Sequence, residues 1–131
     1  MNPEYLRHNN AGENPIYQKI PDMLAQLLDE IPEVQGFAIG GSYASGTWTE
    51  SDDVDIDVLF NNMPDSDRYY TIKDDIRVFF MKRGIIIQIR APLAKTLITE
   101  TMRRDIYARH PGTPFVVRNE NVANDWGLHS D

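Results

Sequence analysis

Two short stretches carry residue types that can do chemistry together. Gly40, Gly41 and Ser42 follow the apolar run Phe37-Ala38-Ile39 and precede Tyr43-Ala44-Ser45-Gly46. Glycines let a backbone approach an anion closely, and the amides of a turn entering a helix point donors at it; the Ser42 hydroxyl adds another, so a phosphate can sit there. Taken alone, the same residues also read as a plain tight turn. Gly41 to Gly46 has the glycine spacing of a P-loop, but Thr47 and Trp48 stand where that loop requires Lys and Ser/Thr, which excludes its mechanism. The second stretch is Ser51-Asp52-Asp53-Val54-Asp55-Ile56-Asp57-Val58. On a strand, alternate residues share a face, which puts Asp53, Asp55 and Asp57 on one side with neighbouring Cα atoms about 7 Å apart. Like charges at that range repel unless water, protons or cations compensate, so the row is either a solvated face or a divalent-cation site. The apolar continuation Val58-Leu59-Phe60 suits a strand buried on both faces and speaks against a solvated edge. A phosphate-holding turn with an Asp-x-Asp ten residues later supplies the two components that hold a metal-bound nucleoside triphosphate. Nucleotidyl transfer depends on such positioning and on charge neutralisation by ions about 3.5 to 4 Å apart.

The elements that must position these residues follow from periodicity. Met23, Leu24, Leu27, Leu28 and Ile31, extended backwards by Ile20 and Ile16, form one apolar stripe. The stripe predicts a helix opening at Pro21, with Asp22 in its first turn, in preference to a longer helix from Pro15 kinked at Pro21. A buried strand at Phe37–Ile39 and a second at Val54–Phe60 flank the turn, and Asn61 to Asp75 reads as polar loop. Ile76–Met81 and Ile85–Arg90, separated by Lys82, Arg83 and Gly84, read as a hairpin. Pro92 to His110 reads as a second helix, striped by Leu93, Leu97, Ile98, Met102 and Ile106 and stopped by Pro111, Gly112 and Pro114. The tail holds one short strand, Phe115–Val117, and Trp126, which docks on the domain or on a partner. The expected fold is therefore α/β (α+β), a mixed sheet of about four strands with helices packed against it. The chain divides into a polar N-terminal arm (1–14), a domain (15–110) and a C-terminal tail (111–131).

Composition narrows the function. The 131 residues suit one domain, with 41% hydrophobic and 25% charged residues and a net charge of −7, so a whole-surface grip on nucleic acid is not expected. The absence of Cys removes disulfides, thiolate zinc sites and Cys nucleophiles, and fits a reducing compartment. No apolar run approaches the roughly 18 residues of a membrane span, and the N-terminus lacks the apolar core of a secretory signal; the expected location is cytoplasmic. His8, His110 and His129 are scattered and receive no role. Lys82, Arg83, Arg90, Lys95, Arg103 and Arg104 are the set from which a triphosphate contact would come, most of them expected to be solvated.

Gly41-Ser42, ten residues and Asp53-Val54-Asp55, with Gly41-Ser42-Tyr43-Ala44-x-Gly46 at the start, resembles the motif of the minimal nucleotidyltransferases of the DNA polymerase beta superfamily. Ser45 departs from it, standing where that family often has Arg. The resemblance covers about residues 20–110. It implies a polymerase beta palm-like fold and transfer of a nucleoside monophosphate, AMP from ATP, to a hydroxyl, with pyrophosphate released. It also implies two Mg²⁺ ions held by the Asp pair, with Gly40, Gly41 and Ser42 on the phosphates. The third carboxylate usual in the family falls at Ile87-Gln88-Ile89, and Gln88 cannot supply a negative ligand, which would slow chemistry more than nucleotide binding. Asp57 is acidic where the family is apolar. Three arrangements stay open: Asp53 with Asp55, Asp55 with Asp57, or Asp57 facing Gln88 and replacing the missing carboxylate. All retain Asp55.

Stand-alone minimal members resemble the antitoxin half of HEPN toxin/antitoxin pairs, which adenylylate the toxin on a tyrosine. A chain this short is expected to take its acceptor, or part of its acceptor site, from a HEPN-type toxin or from a second copy of itself. Two other readings are a catalytically impaired antitoxin or adaptor of the same fold, and a small-molecule, antibiotic-type nucleotidyltransferase completed by dimerisation.

Overall fold

A computed structural model describes residues 6–8, 15–45, 47–49, 52–94 and 115–126. In chain order the elements are β1 (Leu6–His8), α1 (Pro15–Glu30), β2 (Val34–Ile39), α2 (Gly41–Ser45), β3 (Val54–Phe60), α3 (Ser66–Met81), β4 (Ile87–Ala94), β5 (Phe115–Val117) and α4 (Glu120–Trp126). The strands form one sheet in the order β1-β5-β2-β3-β4. Only β3 and β4 pair in parallel; the other neighbours are antiparallel. The mixed α+β architecture is the expected one, with five strands instead of about four: Ile76–Met81 is not a strand, while Phe115–Val117 of the tail and Leu6–His8 of the polar arm both join the sheet.

The period-2 alternation of β3 sorts its residues between two faces. Val54, Ile56, Val58 and Phe60 join the main core with Ile20, Leu24, Leu27 and Leu28 of α1 and with Ile72, Ile76 and Phe80 of α3. Leu59, on the other face, packs with Phe115, Val117, Val122, Ala123 and Trp126, so Trp126 docks on the domain itself. Asp55 and Asp57 lie on this second face, toward the end of the strand away from Leu59.

Four expectations are corrected. Helix α1 opens at Pro15 and carries Pro21 inside it. An interior proline costs a helix about 3 kcal/mol or more, but complete burial of Ile20, Leu24, Leu27 and Leu28, at about 1.5 to 3 kcal/mol each, outweighs it. The expected loop Asn61–Asp75 is helical from Ser66, and Ile76–Met81 completes that helix instead of forming a hairpin strand. The Asp65 side chain caps α3 by accepting from the Arg68 amide at 2.9 Å. Ile72, Ile76 and Phe80, four residues apart, then face the core. Gly84, with φ of +77°, takes the chain out of the helix, and the Ile85 amide donates to Phe80 O at 3.0 Å. Helix α3 is thus the crossover that a parallel β3–β4 pair requires. Finally, Pro92 does not open a second helix: β4 runs to Ala94, and as an edge strand it tolerates a residue without an N–H. The rest of that expected helix, residues 95–110, lies outside the described residues. No helix among the described residues is long and apolar enough to cross a membrane.

The layers are tied at two further points. Arg118 donates to Leu28 O (2.6 Å), Ile31 O (2.9 Å) and Val34 O (2.8 Å), closing the C-terminal end of α1 against the start of β2. Arg68 makes a two-pronged ion pair with Glu33, joining the α1–β2 turn to the first turn of α3. That guanidinium holds the Glu33 carboxyl well below its ordinary range, at about 2.

Candidate functional site

The site is built where β2 ends beside the start of β3. Ile39 pairs with Ile56 in the antiparallel register, and the Gly40 amide then donates to Asp55 O at 2.8 Å. At Gly41 the backbone enters the left-handed region, φ +61°, and starts α2. A Cβ on Gly41 would run into the Asp55 carboxylate, whose Cγ lies 3.2 Å from that position. The carboxylate is thereby pressed against the first residue of the Gly-Ser turn. The dihedral angle favours glycine, and any larger residue would also have to displace the Asp55 carboxylate. Ser42 follows on α2, half-buried, and the first amides of a helix have no partner within it.

The segment between Ser42 and Asp53 is anchored by its aromatics. Thr47 N and Trp48 N both donate to Ser42 O, at 3.0 and 3.1 Å. Trp48 is 2% exposed, and its ring meets that of buried Tyr43 at 5.6 Å between centroids with a 59° tilt. Trp48 Nε1 donates to Asp52 O at 3.2 Å. The Asp52 carboxylate accepts from Thr49 N at 2.9 Å, so this acid closes its own loop. Trp48, excluded above as a P-loop residue, is instead the buried peg that sets the distance from turn to strand.

The acidic row is graded in exposure. Asp53 is exposed just before β3, Asp55 is half-buried, and Asp57 is 9% exposed. Neither Asp53 nor Asp55 has a hydrogen-bond donor or cation on it among the described residues. Asp57 does: its Oδ2 accepts from Arg90 Nη2 at 3.0 Å. Gln88 is exposed on β4 and registers with Asp55, not with Asp57, so the third of the open arrangements, Asp57 facing Gln88, does not form. The cause is the parallel register itself, which pairs Val54 with Ile87 and Ile56 with Ile89 before the irregularity between Ile56 and Val58 is reached. The Asp57–Arg90 pair is the feature that periodicity missed. Its one signal is the alternation of Gln88 and Arg90 with the core residues Ile87 and Ile89.

The structure therefore brings together Gly40, Gly41, Asp55 and Arg90, with Ser42 following on α2 and Asp53 preceding β3. Lys82 and Arg83 lie elsewhere, lining a groove with Leu27 and Phe79 between α1 and α3; the Arg83 guanidinium sits 3.7 Å over the Phe79 ring. Lys95, Arg103 and Arg104 lie outside the described residues. Among the described residues no three His, Asp or Glu side chains gather to hold a metal on their own. The donors at Asp53 and Asp55 are hard carboxylate oxygens left open beside a turn suited to phosphate, and that chemistry fits Mg²⁺ completed by phosphate oxygens and water.

Among comparisons with known proteins, the family model agrees with the motif. A family model described as "Polymerase beta, Nucleotidyltransferase" matches residues 22–109, about two thirds of the chain. A solved structure described as a "putative nucleotidyltransferase from Sulfolobus solfataricus" is similar at 16% identity and a TM-score of 0.40, over 75% of this chain and 76% of that one. No curated protein matches the chain.

Proposed function

We propose, because the chain belongs to the polymerase beta nucleotidyltransferase family, that it transfers AMP from ATP to a hydroxyl on an acceptor. The observation that carries this reading is the Asp55 carboxylate standing against Gly41 of the Gly-Ser turn. In the proposed reaction the acceptor hydroxyl oxygen attacks the α-phosphorus and gives up its proton to water, the bond from that phosphorus to the bridging oxygen breaks, and pyrophosphate leaves with the electron pair. The turn at Gly40, Gly41 and Ser42 holds the phosphates, and Asp53 and Asp55 hold Mg²⁺. Magnesium bound there supplies neutralisation of the triphosphate and a lowered pKa for the attacking hydroxyl. The chain's own work is positioning: the left-handed turn at Gly41 admits the Asp55 carboxylate, and the buried Trp48 sets the span between the turn and the Asp pair. The acceptor in this reading is a partner protein of the HEPN-toxin kind, reaching the site from the exposed side marked by Asp53.

Calorimetric titration of ATP with and without Mg²⁺, repeated on Asp53→Asn/Asp55→Asn, tests it. Metal-dependent binding lost in the double variant is expected; no binding to the intact protein overturns the nucleotide site. Gln88 favours a second reading, a binding protein that retains the nucleotide but transfers poorly, because no carboxylate stands beside Asp55 on β4. ATP binding without incorporation of label into any co-purified acceptor distinguishes it.

A further inference from the structure

Arg90 belongs to the face of β4 that looks onto the acidic row, since its neighbours Ile87 and Ile89 go into the core. Its guanidinium lies over Gly40: a Cβ there would stand 2.9 Å from Arg90 Cζ and 3.1 Å from Nη1. Gly40 immediately precedes Gly41, whose side-chain space is filled by Asp55. A cation and a carboxylate thus flank consecutive residues of the same turn. One Arg90 nitrogen, Nη2, is bonded to the nearly buried Asp57. The side chain is 34% exposed, and Nε and Nη1 have no acceptor among the described residues. An arginine oriented by one carboxylate, with donors of its planar fork left open, is prepared to receive phosphate oxygens. A carboxylate whose charge is already met by a guanidinium is correspondingly a poor ligand for a divalent cation.

We propose that Arg90 binds the phosphate chain of the nucleotide, that Asp57 acts as a positioning residue holding the guanidinium over Gly40, and that Asp53 and Asp55 alone are the metal carboxylates. This rests on the nucleotidyltransferase reading above and goes beyond it by separating the three acids into two roles. The test is calorimetry of Mg-ATP and of metal-free tripolyphosphate on the intact chain and on Arg90→Gln, Arg90→Lys, Asp57→Asn and Asp55→Asn. The Mg²⁺ concentration for half-maximal ATP binding and the thermal midpoint of each protein are measured alongside.

Arg90→Gln is expected to weaken Mg-ATP about tenfold or more and to abolish tripolyphosphate binding, with Arg90→Lys recovering part of both. Asp57→Asn is expected to weaken ATP less than Arg90→Gln and to leave the Mg²⁺ midpoint where it is, whereas Asp55→Asn moves it. Unchanged binding in Arg90→Gln overturns the proposal. So does an Asp57→Asn shift in Mg²⁺ midpoint as large as that of Asp55→Asn. Equal losses of binding and thermal midpoint in Arg90→Gln and Asp57→Asn mark a merely structural pair and also overturn it. Failure of the unsubstituted protein to bind ATP defeats the nucleotidyltransferase reading itself, and this assignment with it; normal ATP binding that Arg90→Gln leaves intact defeats this assignment only.

Discussion

The Asp55 carboxylate fills the space that a side chain on Gly41 would need, and Gly41 holds a φ of +61°. Two restrictions of different origin, one on backbone angle and one on volume, converge on a single residue. Gly41→Ala is therefore expected to cost about 1 to 2 kcal/mol in backbone strain and, by displacing Asp55, to remove metal-dependent ATP binding. Calorimetry beside a denaturant melt checks both; a folded Gly41→Ala protein that binds Mg-ATP normally contradicts the assigned site.

Asp55→Asn separates binding from stability. Asp55 shares its strand face with Asp57 and follows Asp53 by two residues, and no donor among the described residues is bonded to its carboxylate, so removing the charge relieves repulsion without breaking a protein contact. The thermal midpoint is expected to stay level or rise while Mg²⁺-dependent ATP binding disappears. A drop in midpoint would mean that the carboxylate holds the fold.

Trp48 behaves as core even though it lies between the two halves of the site. It is 2% exposed and packs on Tyr43. Trp48→Ala is expected to cost about 3 to 5 kcal/mol, the usual range for emptying an aromatic site. Urea unfolding measures this, and a loss below about 1 kcal/mol would show that the loop collapses to fill the space.

Arg118 supplies donors to three carbonyls, Leu28 O, Ile31 O and Val34 O. Arg118→Met keeps the aliphatic stem and deletes those donors, for an expected loss of about 1 to 3 kcal/mol. ATP affinity, measured on the folded fraction, should not change, because the end of α1 lies away from the Gly-Ser turn.

Glu33 gives the fold a pH dependence of known sign. Its carboxyl titrates at about 2 when paired with Arg68 and near 4.5 when free. The stabilisation is complete above about pH 4.5 and is lost as pH falls toward 2. Both side chains are half-exposed, so the effect is modest and weakened by salt. The difference in thermal midpoint between the natural protein and Glu33→Gln should shrink between pH 5 and pH 2, and be smaller at high ionic strength. A difference that does not vary with pH would show that the pair contributes nothing.

The elements that sequence reading located and those it misread differ in where their information lies. β3 was legible to the residue because Val54, Ile56 and Val58 alternate with acids that must face the other way and run on into the apolar Leu59-Phe60. α3 was not. Its buried stripe is only Ile72, Ile76 and Phe80, and the alternation Ile76-Arg77-Val78 imitates a strand. Gly84 misled for a related reason, since a left-handed glycine serves equally to turn a hairpin and to leave a helix. β1 carried no local pattern, because an edge strand held by backbone pairing to β5 needs none.

Residue order by itself determined the Gly-Ser turn, the ten-residue span to Asp53 and the strand face shared by Asp55 and Asp57, because dihedral preference and strand periodicity act within a few residues. Only the tertiary structure decided which residues of β4 meet that row. Ile87 and Ile89 must be buried against the helices, and that demand, acting through the parallel register, sets Gln88 beside Asp55 and brings Arg90 onto Asp57 across 33 residues of chain. No local pattern in the intervening sequence encodes that distance, since it is settled by what the opposite face of the sheet has to bury.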